Sequence, residues 1–196
     1  MPRTLETGMV RIGLVMALVT TASGSARATV MVPADLEVLA TEATVIVRGV
    51  VVDVRARRSP AGSRIDSIVT LEASTYWKGD LGATVTLSVP GGRLGRYRSV
   101  VVGAPVFVPG DEVVLFLAGG APSLPHVLGM SQGLYRVFGD PASGRQLVLP
   151  SPVLASPTTA GPIVRGDATR RLTTIDEFGA MLMDITAEPA GAEGGR

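Results

Sequence analysis

From Ile65 to Gly92 the sequence runs IDSIVTLEASTYWKGDLGATVTLSVPGG. Ile65, Ser67, Val69, Leu71, Ala73, Thr75 and Trp77 fall on one side of an alternation, with Asp66, Thr70, Glu72, Ser74 and Lys78 on the other. This is the period-two pattern of a half-buried strand. Lys78-Gly79 turns the chain. Val85, Leu87 and Val89 then alternate with Thr84, Thr86 and Ser88 until Pro90-Gly91-Gly92 ends the second ribbon. Two such ribbons cannot hold together alone in water, so neighbouring segments must add strands and cover the apolar side. On this pattern Trp77 packs inward as a core residue rather than serving as a ligand platform.

Working outward, Pro33 to Ala43 predicts a short helix, with Leu36, Leu39, Ala40 and Ala43 at helical spacing and Pro33 near the first position. Thr44 to Arg57 predicts a long strand whose pattern changes phase at Gly49. A β-bulge there would bury Val45, Val47, Val50, Val52 and Val54 together and leave Arg48, Asp53, Arg55 and Arg57 in water. Residues 58–64 form a turn by composition. Beyond Gly92, Arg93 to Ser99 reads as a polar loop at a barrel mouth or sheet end, followed by the apolar run Val100 to Val108. Pro109-Gly110-Asp111 turns into Glu112 to Ala118, whose unbroken Val113-Val114-Leu115-Phe116-Leu117 predicts a strand covered on both faces with Phe116 at the centre of the core. His126 to Gly129 and Leu134 to Phe138 are shorter β segments, and residues 140–144 link the latter to Arg145 to Leu149 as a hairpin.

Residues 150–173 are rich in Pro, Ser, Thr, Gly and Ala and predict a linker. Thr174-Ile175-Asp176-Glu177 matches a capping box, opening a helix over 174–187 with Ile175, Phe178, Met181, Leu182 and Ile185 on one stripe. Residues 188–196 predict a disordered tail. Because the helix follows a linker, Phe178 is expected to be partly buried and less important than Phe116.

The other end of the chain carries an export pattern. Arg3 and Arg11 precede an uncharged, mainly apolar stretch from Ile12 to Ala22, too short to span a bilayer, and Ala26-Arg27-Ala28 has the small-x-small form of a cleavage site. Residues 1–28 are expected to be a signal peptide, with Thr29 first in a secreted or periplasmic protein that keeps no membrane anchor. Residues 1–28 hold three arginines and one glutamate; without them 15 basic groups face 16 acidic ones, a balance that does not indicate a nucleic-acid partner. The chain has no cysteine, so the stability of residues 29–149, the expected β domain, must come from a hydrophobic core.

Ala43-Thr44-Val45-Ile46-Val47-Arg48-Gly49-Val50, Tyr76-Trp77-Lys78-Gly79 and Gly110-Asp111-Glu112-Val113-Val114-Leu115-Phe116-Leu117 together resemble uncharacterised secreted bacterial domains. More distantly they resemble the netrin-like fold of the tissue inhibitors of metalloproteinases. The resemblance covers about residues 35–138 and implies a mainly β, OB-like barrel of five to six strands with one early helix, to which the C-terminal helix is appended. The zinc-chelating N-terminal cysteine and the disulfides of those inhibitors have no counterpart here, so their mechanism is not carried over.

Arg93, Arg96 and Arg98 around Tyr97 form the candidate ligand-binding group, because guanidinium groups beside an aromatic ring suit a phosphate or a carboxylate. The bland reading of the same residues is a solvated loop. Gly129-Met130-Ser131-Gln132-Gly133 has the form of a hydrolase nucleophile elbow. It lacks a following helix, and the lone histidine, His126, precedes the serine instead of following it. No catalytic residue, metal site or cofactor is therefore assigned. Three readings remain: a non-catalytic extracytoplasmic module that binds a ligand or an exported protein, an inhibitor or regulator of an exported hydrolase, and a serine hydrolase acting through Ser131. The second reading requires the loops around Gly91 to Ser99 and Leu124 to Gly133 to form one protruding edge.

Overall fold

The computed structural model describes residues 34–59, 62, 64–151 and 172–187 of the 196. The expected signal peptide, most of the expected linker and the expected tail lie outside these residues. The chain enters through helix α1 (Leu36–Glu42), whose cap is Asp35: its carboxylate accepts the Val38 N–H at 2.8 Å. The strands follow as β1 (Val45–Arg58), β2 (Ile65–Lys78), β3 (Thr84–Pro90), β4 (Gly92–Leu94), β5 (Tyr97–Ser99), β6 (Glu112–Ala118), β7 (His126–Val127), β8 (Leu134–Gly139), β9 (Gln146–Pro150) and β10 (Thr173–Thr174). Helix α2 (Ile175–Ala187) closes the described chain.

The protein is mainly β, but its sheet is open and not the closed five- to six-stranded barrel expected from sequence. Strand order is β10-β9-β8-β6-β1-β2-β3, with β7 paired to β6 off this path and β4-β5 forming a separate ribbon. All pairings are antiparallel. The Ser88 N–H of β3 donates to the carbonyl of Pro125, the residue before β7, at 2.9 Å.

Each face of the sheet carries its own core. Val47, Val51, Val69, Leu71, Leu87, Val113, Leu115 and Leu117 gather on one side. On the other side Ile46, Val114, Phe116, Tyr135 and Val148 pack against Leu36, Leu39 and Ala40 of α1 and Phe178 and Leu182 of α2. The alternation inside Val113 to Leu117 therefore feeds both cores, as its unbroken apolar run predicts.

Gly49 is not the bulge. Val45, Val47, Gly49 and Val51 continue one alternation, while Val50 and Val52 are 38% and 41% exposed. The phase of β1 changes at Val52, which is skipped between the pairs Val51↔Leu71 and Asp53↔Thr70. What requires glycine at 49 is close approach: a Cβ there would lie 2.2 Å from the Glu72 carbonyl oxygen. The opposing strand makes its own irregularities, skipping Ser74 and Trp77 against β1. The extra residue at Ser74 shifts the phase, so that Tyr76 faces the first core and Trp77 the helical side, against Phe178. Trp77 is thus a packing residue, on the face opposite to the one its alternation with Val69 predicts.

The capping box forms as expected: the Glu177 N–H donates to Thr174 Oγ1 and the Thr174 N–H to Glu177 Oε2, each at 3.3 Å. Phe178 is 2% exposed, so the expected partial burial gives way to full burial in the helix-facing core.

Candidate functional site

Residues 93–98 form a hairpin rather than the expected loop. Gly92 pairs with Ser99, Arg93 with Arg98 and Leu94 with Tyr97. The hairpin is fastened at its base: the Gly91 N–H donates to the Ile65 carbonyl at 3.0 Å, and Ser67 Oγ donates to the Gly91 carbonyl at 2.8 Å. Gly92, at φ 142°, allows this contact, since a Cβ there would sit 2.5 Å from Ser67 Oγ. The Pro90-Gly91-Gly92 break read from sequence is the hinge that turns the chain out of β3 into this ribbon.

The register sets Arg93 directly across from Arg98, on the same face of the ribbon. Like charges in that position repel. Both line one cleft of about 250 Å³ with Val54, Ser67, Val100 and Val106. Arg96 lies 5.0 Å from the centre of the Tyr97 ring and donates to its hydroxyl at 2.8 Å, and Arg58 sits 5.8 Å from the same ring. Among the described residues none of Arg93, Arg96 and Arg98 makes an ion pair. All four candidate residues are exposed.

Sequence reasoning did not single out the neighbour of this hairpin. Residues 100–108 form no strand, and Val100, Val102, Val106 and Val108 are 70%, 80%, 70% and 55% exposed. Their backbone is held from within: the Ser131 N–H donates to the Gly103 carbonyl at 2.9 Å, Arg136 Nη2 to the Val106 carbonyl at 2.6 Å, and the Val108 N–H to Asp111 Oδ2 at 3.0 Å. Arg136 and Asp111 are themselves ion-paired. The available signal was the lack of any charged residue in a run of valines that follows three arginines.

Ser131 lies in a 3₁₀ turn, Met130–Gly133, between β7 and β8. A strand and not an α-helix follows it, unlike a nucleophile elbow. His126 lines a second cleft, of about 230 Å³, with Arg64, Asp66, Ser88 and Met130. Among the described residues His126 makes no side-chain hydrogen bond or ion pair, and no three His, Cys, Asp or Glu side chains group as metal ligands would. Nor is any helix among them long and apolar enough to cross a membrane. Pro105 lines both clefts, so the segments around Gly91 to Ser99 and His126 to Met130 adjoin through the valine loop. The chain matches no family model, no curated protein and no solved structure.

Proposed function

We propose that this protein is a non-catalytic extracytoplasmic binding module, and that its binding edge is the β4–β5 hairpin together with residues 100–108. The observation that carries this reading is the cross-strand pair Arg93 and Arg98, which sets two cations, neither in an ion pair among the described residues, across from each other in the lining of one cleft. An anionic group between them relieves their repulsion and gains charge-assisted hydrogen bonds from both. The export pattern of residues 1–28 supports placing the module in the secreted or periplasmic space. The bond from Ser88 to Pro125, which sets β3 beside β7, and the early helix α1 support an OB-like, netrin-like relationship for the open sheet. Affinity capture from the exported fraction tests the function, comparing the wild-type protein with Arg93→Gln/Arg98→Gln. A partner held by the first and lost by the second is expected. Equal capture by both, or labelling of Ser131 by a fluorophosphonate probe, would contradict it.

A second reading, inhibition or regulation of an exported hydrolase, is favoured by the continuity of the two clefts through Pro105 and by the bond from Ser131 to Gly103. A blocking surface needs these segments close together, and the shared Pro105 supports that reading. Lowered activity of an exported hydrolase on adding the protein, restored by the same double variant, is the result that this reading requires.

A further inference from the structure

Resting on the binding-module reading, we propose that the hairpin and the valine loop dock on an anionic phospholipid surface, the valines entering the acyl boundary and the arginines holding lipid phosphates. Val100, Val102, Val106 and Val108 are all exposed on one short loop, and exposed apolar surface of this kind marks contact sites. The neighbouring charge names the partner. Residues 91–108 contain three arginines and no acidic residue, and Arg93 stands across from Arg98 without a carboxylate between them. A surface that offers many phosphates at once satisfies all three guanidinium groups, whereas one bound anion satisfies the Arg93–Arg98 pair alone.

The distribution of side chains fits a bilayer better than a protein partner. Protein interfaces concentrate their energy in aromatic and arginine anchors seated in pockets. Here the exposed side chains of the loop are aliphatic, and Arg93 and Arg98 share a cleft lining with Val100 and Val106, the combination found where an amphipathic segment enters a headgroup layer. Arg136, Asp111 and Ser131 fix the loop backbone beforehand, so little ordering accompanies docking.

The absence of cysteine makes a single reporter straightforward. Val102→Cys in the full chain, labelled with an environment-sensitive fluorophore, reads the loop itself, whatever residues 1–28 do at a membrane. With vesicles of phosphatidylglycerol and phosphatidylcholine the emission should shift to the blue; with phosphatidylcholine alone it should not. Adding Arg93→Gln, Arg96→Gln and Arg98→Gln should weaken the response about a hundredfold, the combined weight of three cations near an anionic surface. The same label on Met183→Cys, at an exposed position of α2, should stay unchanged. Circular dichroism of each variant confirms that it is folded. No shift at position 102 with anionic vesicles, or a shift that survives loss of the three arginines, would overturn the proposal. If no shift occurs while capture of an exported partner still depends on Arg93 and Arg98, the lipid surface is wrong and the binding edge is right.

Discussion

The ring of Phe178 meets the ring of Phe116 edge-on, with centroids 6.5 Å apart and planes 87° apart. Tyr135 and Trp77 complete the aromatic group, at 5.0 and 6.5 Å from Phe178. The C-terminal helix therefore contributes to the same core as the central strand.

Phe178→Ala and Phe116→Ala should consequently cost similar amounts, each ~3–5 kcal/mol from lost transfer energy plus a cavity. Denaturant melts with unchanged slope would measure this. A cost for Phe178→Ala of only about a third of that for Phe116→Ala would show α2 to be a peripheral layer.

Gly49→Ala should destabilise by about 1–3 kcal/mol or more, because its methyl group would press on the Glu72 carbonyl of the paired strand β2. Val52→Thr, at the phase change and exposed, should cost less than about 0.5 kcal/mol. The reverse order in thermal melts would restore the bulge to Gly49.

The cap of α2 should be pH-dependent. Hydrogen bonds from the Thr173 hydroxyl and the Thr174 backbone and hydroxyl hold the Glu177 carboxyl below its usual value of 4.5. Its folded-state value is the lower one, so the stabilisation is complete above the unfolded value and disappears as pH falls through the folded one. Glu177→Gln should remove that acid-side component, and Thr174→Ala should cost ~1 kcal/mol at neutral pH. Parallel acid titrations of wild type and Glu177→Gln would refute the assignment.

Much of this architecture is legible in local sequence. Alternation in Ile65 to Val89, the capping box at Thr174 and Glu177, and the Gly-rich break before Arg93 each rest on neighbouring residues, and each element forms where it is read. Closure of the sheet does not depend on local pattern, since it turns on which distant strands pair. Trp77 changes face because β2 carries an extra residue at Ser74 that no composition signal marks. At the candidate site the charges are plain in sequence. The opposition of Arg93 to Arg98 is not, because it comes from hairpin register, and the exposure of the valine loop comes from its leaving the sheet altogether.

Repulsion across that hairpin predicts a trade between stability and binding. Arg98→Glu creates an opposite-charge cross-strand pair with Arg93 and should stabilise the free protein by about 0.2–1 kcal/mol while abolishing partner capture. Lower stability together with intact capture would show that the pair has no role in recognition.

The most direct measurement places a photo-crosslinking side chain at Val106 in the producing cells, with the same group at Met183 for comparison. Crosslinks to lipid or protein should form from position 106, disappear when Arg93 and Arg98 are both replaced by Gln, and be absent from position 183. Crosslinking from 183 alone, or from 106 regardless of the arginines, would contradict a binding edge built on this hairpin and loop.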